Sequence, residues 1–141
     1  MAKVLLVSDA SSVLDEWRAV IDDGVNEIVE ARSGEAVRPL AAADPPDLVI
    51  TDSQVQNMGG IAICMDLKLE ESGGRIPHVP VLIALDRRAD VFLARRAGAE
   101  GFLVKPLDPI RIRKAAEALL AGGTFSDESY KPLTIGDPRS S

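Results

Sequence analysis

Asp47-Leu48-Val49-Ile50-Thr51-Asp52 is an apolar run of strand length that stops abruptly at a carboxylate. Such a run suits a strand buried on both faces of a parallel sheet, where no polar alternation is needed. Similar runs occur at Val4–Val7, Val81–Leu85 and Phe102–Val104, and a weaker one at Glu27–Ala31 fits an edge strand. Between them the apolar spacing becomes helical. Leu14, Trp17 and Ile21 share one face, as do Ala89, Leu93 and Ala97, and then Ile112, Ala116 and Leu119/Leu120.

Chain punctuation agrees with this alternation. Ser11 or Ser12 is expected to cap the first helix, Ser33 the second, and Asp108 the last, with Pro109 at its first position. Gly24, Gly98 and Gly122 stand where helices should stop, and Pro39 should kink or shorten the second helix. The pattern is (βα) repeated five times. It predicts a doubly wound five-stranded parallel sheet, flavodoxin-like, with strand order 2-1-3-4-5 and its crevice beyond the carboxyl ends of strands one and three. The expected domain spans residues 1–121. Residues 122–141 lose the apolar period and read as a partly disordered or loosely packed tail, with no output domain after it.

Composition narrows the function. The chain has 141 residues, 46% hydrophobic and 27% charged, which suits one ordinary soluble domain. A net charge of −6 argues against direct nucleic-acid binding or attachment to an anionic membrane. No apolar stretch is long enough to span a bilayer and the N-terminus lacks signal-peptide form, so a cytoplasmic setting is expected. The single cysteine, Cys64, lies in an apolar stretch and reads as a small buried residue.

Three strand runs end in charge, at Asp9, Asp52 and Lys105, and the predicted topology brings those ends together. Carboxylates held close repel one another, and a divalent cation with an ammonium keeps both ionised. Asp9, Asp52 and Lys105 therefore form a candidate magnesium and phosphoryl site.

At residues 3–121 the sequence resembles the response-regulator receiver family. The resemblance rests on Asp47-Leu48-Val49-Ile50-Thr51-Asp52, on Asn57-Met58-Gly59-Gly60, and on Ala97-Gly98-Ala99-Glu100-Gly101-Phe102-Leu103-Val104-Lys105-Pro106. It implies that Asp52 accepts a phosphoryl group from a histidine kinase or phosphotransfer protein and that Lys105 contacts the phosphoryl oxygens. It further implies that Asp9, Asp52 and the backbone carbonyl of Gln54 ligate Mg2+, with Ser8 contributing weakly or through water, and that the bond before Pro106 is cis. The Gln54 side chain lies where the family tunes dephosphorylation. A downstream output protein is an implied partner and a homodimer is open. Catalysis beyond the chain's own phosphorylation and dephosphorylation is not expected.

The departures from the family pattern bear on mechanism. Ser8 stands where a second acidic residue is usual. Losing a unit charge about 6–7 Å from a divalent ion costs on the order of 5 kcal/mol at an effective dielectric near 20, before water and relieved repulsion offset most of it. Magnesium binding is expected to be weak. The strand-four hydroxyl of the family is replaced by Ala84 or Leu85, with the alignment open by a residue or two. Phe102 occupies the strand-five switch position, and Val55-Gln56 replace the usual Met-Pro.

Two readings stay open: a phosphoacceptor receiver that relays its signal through protein contacts, and an atypical pseudo-receiver that binds partners without phosphorylation. A flavin binder of the same fold is disfavoured by Asp9, which would repel a flavin phosphate, and by an aromatic content of only 4%. His78, the only histidine, sits in a loop and supports neither a zinc site nor a catalytic triad. Arg87, Arg88, Arg95 and Arg96 are expected to form a basic face along the fourth helix.

Overall fold

Residues that alternate along each strand sort onto two covered faces, which is why the strands read as unbroken apolar runs. The computed structural model describes residues 2–55 and 58–128. Its elements are β1 (Lys3–Val7), α1 (Ser11–Ile21), β2 (Glu27–Ala31), α2 (Val37–Ala43), β3 (Leu48–Asp52), α3 (Gly60–Ser72), β4 (Val81–Leu85), α4 (Val91–Arg96), β5 (Gly101–Val104), α5 (Pro109–Leu120) and β6 (Phe125–Ser126). All strand pairs are parallel, in the order β2-β1-β3-β4-β5-β6.

On one face Val4, Leu6, Leu48, Ile50, Leu82, Ala84 and Leu103 meet Leu14, Trp17 and Ile21 of α1 and Ile112, Ala115, Ala116 and Leu119 of α5. On the other, Leu5, Val7, Val49, Val81, Ile83, Leu85, Phe102 and Val104 meet α2, α3 and α4 through residues such as Val37, Ile63, Leu67 and Ala94. Burying a side chain such as Leu82 or Ile63 is worth about 1.5–3 kcal/mol each, so the doubly covered sheet dominates stability.

The predicted fold class and strand order stand, with one addition. After α5 the chain turns at Gly122 (φ +87°) and lays Phe125–Ser126 beside β5 as a sixth parallel strand. Asp127, 1% exposed, then accepts a hydrogen bond from the Val104 backbone N–H at 2.9 Å. Sequence alone misses this strand because two residues show no period and the flanking Gly, Ser and Asp read as loop. Residues 129–141 of the expected tail lie outside the described residues.

Helix ends differ from expectation at two places. Ala10, not Ser11 or Ser12, occupies the N-cap of α1 and makes no side-chain cap, while Ser11 Oγ accepts from Arg32 at 2.7 Å. Ser33 precedes a single 3-10 turn at Gly34–Ala36 and also makes no side-chain cap. Asp108 does cap α5, accepting from the Arg111 N–H at 2.9 Å with Pro109 at the first helical position. Pro39 is the third residue of a seven-residue α2, in the first turn where its missing N–H is not needed.

The fourth helix is also rotated relative to the expected face. Val91, Ala94 and Ala97 are buried, whereas Leu93 is 48% exposed and Ala89 is exposed. A 3-10 turn at Arg88–Asp90 delays the helix to Val91, which resets the stripe to the i, i+3, i+6 positions. Gly98, at φ +84°, ends this helix in the left-handed region that a side chain disfavours.

Cys64 is fully buried on α3, donates to the Ala97 carbonyl at 3.4 Å, and has its thiol pushed up to about 12 chiefly by burial. The native protein should therefore resist a thiol-disulfide reagent at pH 8 and react fully only after denaturation. Rapid labelling of the native protein would contradict this packing.

Candidate functional site

Parallel register determines which side chains meet at the carboxyl edge. Val7 pairs with Thr51, Asp52 with Ala84, and Leu85 with Val104. One step beyond each pairing, Ser8 lies next to Asp52, and Asp86 next to Lys105. Backbone bonds hold the register at this edge, from Ser53 N–H to the Ala84 carbonyl at 2.9 Å and from Lys105 N–H to the Leu85 carbonyl at 2.9 Å. The start of α3 is seated equally closely. A Cβ added at Gly60 would lie 2.5 Å from the Asp52 carbonyl oxygen, so only glycine fits there without displacement.

Lys105 is the centre of the edge. Its ammonium donates to Asp52 Oδ1 at 2.6 Å and to Asp86 Oδ1 at 2.7 Å. Burial lowers the Lys105 pKa, but the hydrogen bonds it donates to Asp52 and Asp86 outweigh it and raise the value above its ordinary one. Asp86 in turn accepts from Ser53 Oγ at 2.9 Å. The Lys105 hydrogen bond, opposed by desolvation and aided by Ser53, holds the Asp86 carboxyl below its usual range. The Asp52 side chain is 8% exposed, that of Lys105 32% and that of Asp86 37%.

The structure thus brings Asp52 and Lys105 into direct contact, with Ser8 buried beside them and Asp9 exposed on the loop that follows β1. Ser8 Oγ accepts from the Ala10 N–H at 3.2 Å, so its oxygen is engaged in the turn leading into α1. Gln54 is exposed on the loop after β3, while Gln56 and Asn57 lie outside the described residues. Among the described residues no group of three or more His, Cys, Asp and Glu is placed to hold a metal. The oxygen donors of Asp9, Asp52 and the Gln54 carbonyl nevertheless fit a hard divalent cation that keeps several waters.

Register separates the two strand-four candidates by face. Ala84 lies opposite Asp52 and is 1% exposed, whereas Leu85 points to the other face. The β4 residue paired with Asp52 therefore carries a methyl group and no hydroxyl. Phe102 is 3% exposed, with the Arg95 guanidinium 5.5 Å from its ring centroid, and the peptide bond before Pro106 is cis. His78 is exposed and 2.8 Å from Glu71, apart from this edge. Of the expected basic face, Arg87 pairs with Asp90 and Arg96 stacks on exposed Phe92.

Sequence reasoning missed Asp86. It stands in a charged loop, and nothing local separates it from a solvated aspartate. The available signal was its place one residue beyond β4, level with Lys105 one residue beyond β5.

The fold and this edge define a receiver-type signalling module. The chain belongs to the response regulator receiver domain family, whose model matches residues 4–117. It is 31% identical over 127 residues to the response regulator PleD of Caulobacter vibrioides, covering 90% of this chain and 28% of that protein. It therefore spans little more than a quarter of that relative. Protein PilH of Pseudomonas aeruginosa is 27% identical over 86% of this chain and 100% of its own length. A crystal structure of a LuxR-family two-component response regulator from Aurantimonas superposes with a TM-score of 0.79 at 26% identity, over 91% of each chain. The chain is thus a receiver domain of two-component signalling, a class that works with histidine kinases and output domains. Receiver domains generally bind Mg2+ at the acidic pocket and in general are not enzymes in their own right. Among the described residues no helix is long and apolar enough to cross a membrane.

Removing Lys105 leaves Asp52 and Asp86 facing each other without a cation. Lys105→Ala should lower stability at neutral pH by about 1–2 kcal/mol in urea denaturation without magnesium, less than a fully buried pair because the lysine is partly solvated. Adding Asp52→Asn should recover part of that loss. An unchanged or raised midpoint in Lys105→Ala would show that the ammonium does not hold this edge.

Proposed function

We propose that Asp52 accepts a phosphoryl group from the phosphohistidine of a histidine kinase or phosphotransfer protein, and that the domain relays the signal through protein contacts in the cytoplasm. The observation that carries this reading is the 2.6 Å hydrogen bond from Lys105 to Asp52 at the end of β3. An Asp52 carboxylate oxygen attacks phosphorus in line. The P–N bond to the donor imidazole breaks, and its electron pair stays with the leaving nitrogen, which then takes a proton from water. Lys105 donates to the oxygens of the transferred group, where negative charge must be held. Asp9, Asp52 and the Gln54 carbonyl would hold Mg2+, with Ser8 contributing through water. An ion held there would supply positive charge to offset that on the transferred group. A groove lined by Val13, Glu16, Trp17, Lys105, Pro106 and Leu107 opens beside the lysine and offers a partner access to this edge.

A second reading is favoured by one observation. Ala84 presents only a methyl group opposite Asp52, so a phosphoryl group gains no hydrogen bond there. A ligand shifts a conformational equilibrium only by its differential interaction with the two states. A missing charge-assisted hydrogen bond of about 1.5–3 kcal/mol reduces the bias by roughly one to two powers of ten. Partner binding is then largely constitutive, with Phe102 in nearly the same arrangement in both states.

Acetyl phosphate with millimolar magnesium should add one phosphoryl mass to the wild type and none to Asp52→Asn, read by intact-mass spectrometry. Equal labelling of the two proteins would reject Asp52 as the acceptor. For the metal, Ser8→Asp should tighten magnesium binding by about ten- to a hundredfold in calorimetry, because it restores a unit charge near the ion. Unchanged affinity would show that Ser8 does not border the site.

A further inference from the structure

The described charges at the carboxyl edge include one that the proposed transfer does not use. Asp86 is two residues past Ala84, and its carboxylate engages Lys105 through Oδ1 at 2.7 Å and Ser53 through Oδ2 at 2.9 Å. A lysine ammonium has three donors and no acceptor. Two of them are directed here to carboxylates, one being the proposed acceptor and the other Asp86. Resting on the phosphoacceptor reading, we propose that Asp86 is a built-in counter-anion. It occupies the Lys105 donor that an incoming phosphoryl group requires, and the ammonium exchanges Asp86 for phosphoryl oxygen when Asp52 is modified.

Three features of the geometry support this role. Ser53 anchors Asp86 from the strand-three side, so the carboxylate is oriented toward Lys105 from two directions. At 37% side-chain exposure, Asp86 can be released to water without a buried charge being left unpaired, which makes the exchange feasible. Ala84 offers no competing hydroxyl, and the Lys105 ammonium contacts both the Asp52 and the Asp86 carboxylates at this edge. Asp86 is thus a positioning residue that acts through Lys105. It sets how readily the pocket accepts an anion, and it gives the unmodified domain part of the electrostatic closure that a phosphoryl group would otherwise supply.

The test uses beryllofluoride with magnesium, followed by fluorine NMR, on the full chain. Asp86→Asn should tighten apparent binding about three- to tenfold, the worth of a partly exposed charge-assisted contact. Ser53→Ala, which frees the other end of Asp86, should shift affinity the same way by a smaller factor. In a Lys105→Met background, Asp86→Asn should give no such gain. That background separates an effect through the ammonium from the general benefit of deleting a negative charge near an anion. Circular dichroism checks that each variant is folded, and Ser53→Ala provides an independent reading if Asp86→Asn does not fold.

Unchanged or weakened binding in folded Asp86→Asn, with the wild type binding the probe, would overturn the inference and leave the phosphoacceptor reading standing. An equal gain in the Lys105→Met background would overturn it as well, because the effect would then bypass the lysine. If neither the wild type nor Asp86→Asn binds the probe, and neither gains phosphoryl mass from acetyl phosphate, the phosphoacceptor reading fails and this inference fails with it.

Discussion

The Lys105 ammonium joins the ends of β3, β4 and β5 by hydrogen bonding Asp52 and Asp86 at once. Asp52 is nearly buried at the end of a strand covered on both sides, and a carboxylate there is costly without a cation. Asp86 would add to that cost if it had no partner. The lysine relieves both, and the parallel register delivers it to the right place because Leu85 pairs with Val104 one residue before each charge. Everything chemical at this edge depends on that alignment: Gly60 packed against the Asp52 carbonyl, Ser53 reaching Asp86, and the methyl of Ala84 opposite Asp52.

Much of this was legible in the sequence, and the reason is physical. The strands show as unbroken apolar runs because both faces are covered, and α1 and α5 show because Leu14, Trp17 and Ile21, and Ile112 and Ala116, repeat at helical spacing against one cluster. Asp52 and Lys105 stood out because each ends an apolar run with a charge. The face of α4 was misread because apolar residues occur all round this short segment, and the choice between Leu93 and Ala94 is made by the 3-10 turn that sets where the helix begins. The sixth strand has only Phe125 and Ser126, and its pairing is decided by β5 and by Asp127 on the Val104 N–H. Asp86 was hidden for a related reason: its role follows from what lies across the sheet from it.

The two open functional readings correspond to two properties of one site. On the proposed phosphoacceptor reading, Asp52, Asp9 and Lys105 would supply an acceptor, oxygen donors for a cation and a donor for phosphoryl oxygen, the parts phosphoryl transfer needs. On the same reading Ala84 and Asp86 would act in the other direction, since one lacks a contact that would favour the modified state and the other gives the lysine a partner in the unmodified state. Such a domain would accept the group with a smaller conformational response, and its partner surface would stay closer to a single form. Phe102, the expected strand-five switch residue, is buried beneath the Arg95 guanidinium.

The most direct test of this account is nitrogen-15 NMR of the lysine ammonium groups in the metal-free protein at low temperature. Ammonium protons held by carboxylates exchange slowly enough to be seen, whereas those of an exposed lysine such as Lys114 exchange with water and fade. The account predicts a distinct Lys105 signal that weakens in Asp52→Asn and again in Asp86→Asn. A Lys105 ammonium that exchanges as fast as Lys114, or that is indifferent to both substitutions, would contradict the bridge on which the site is built.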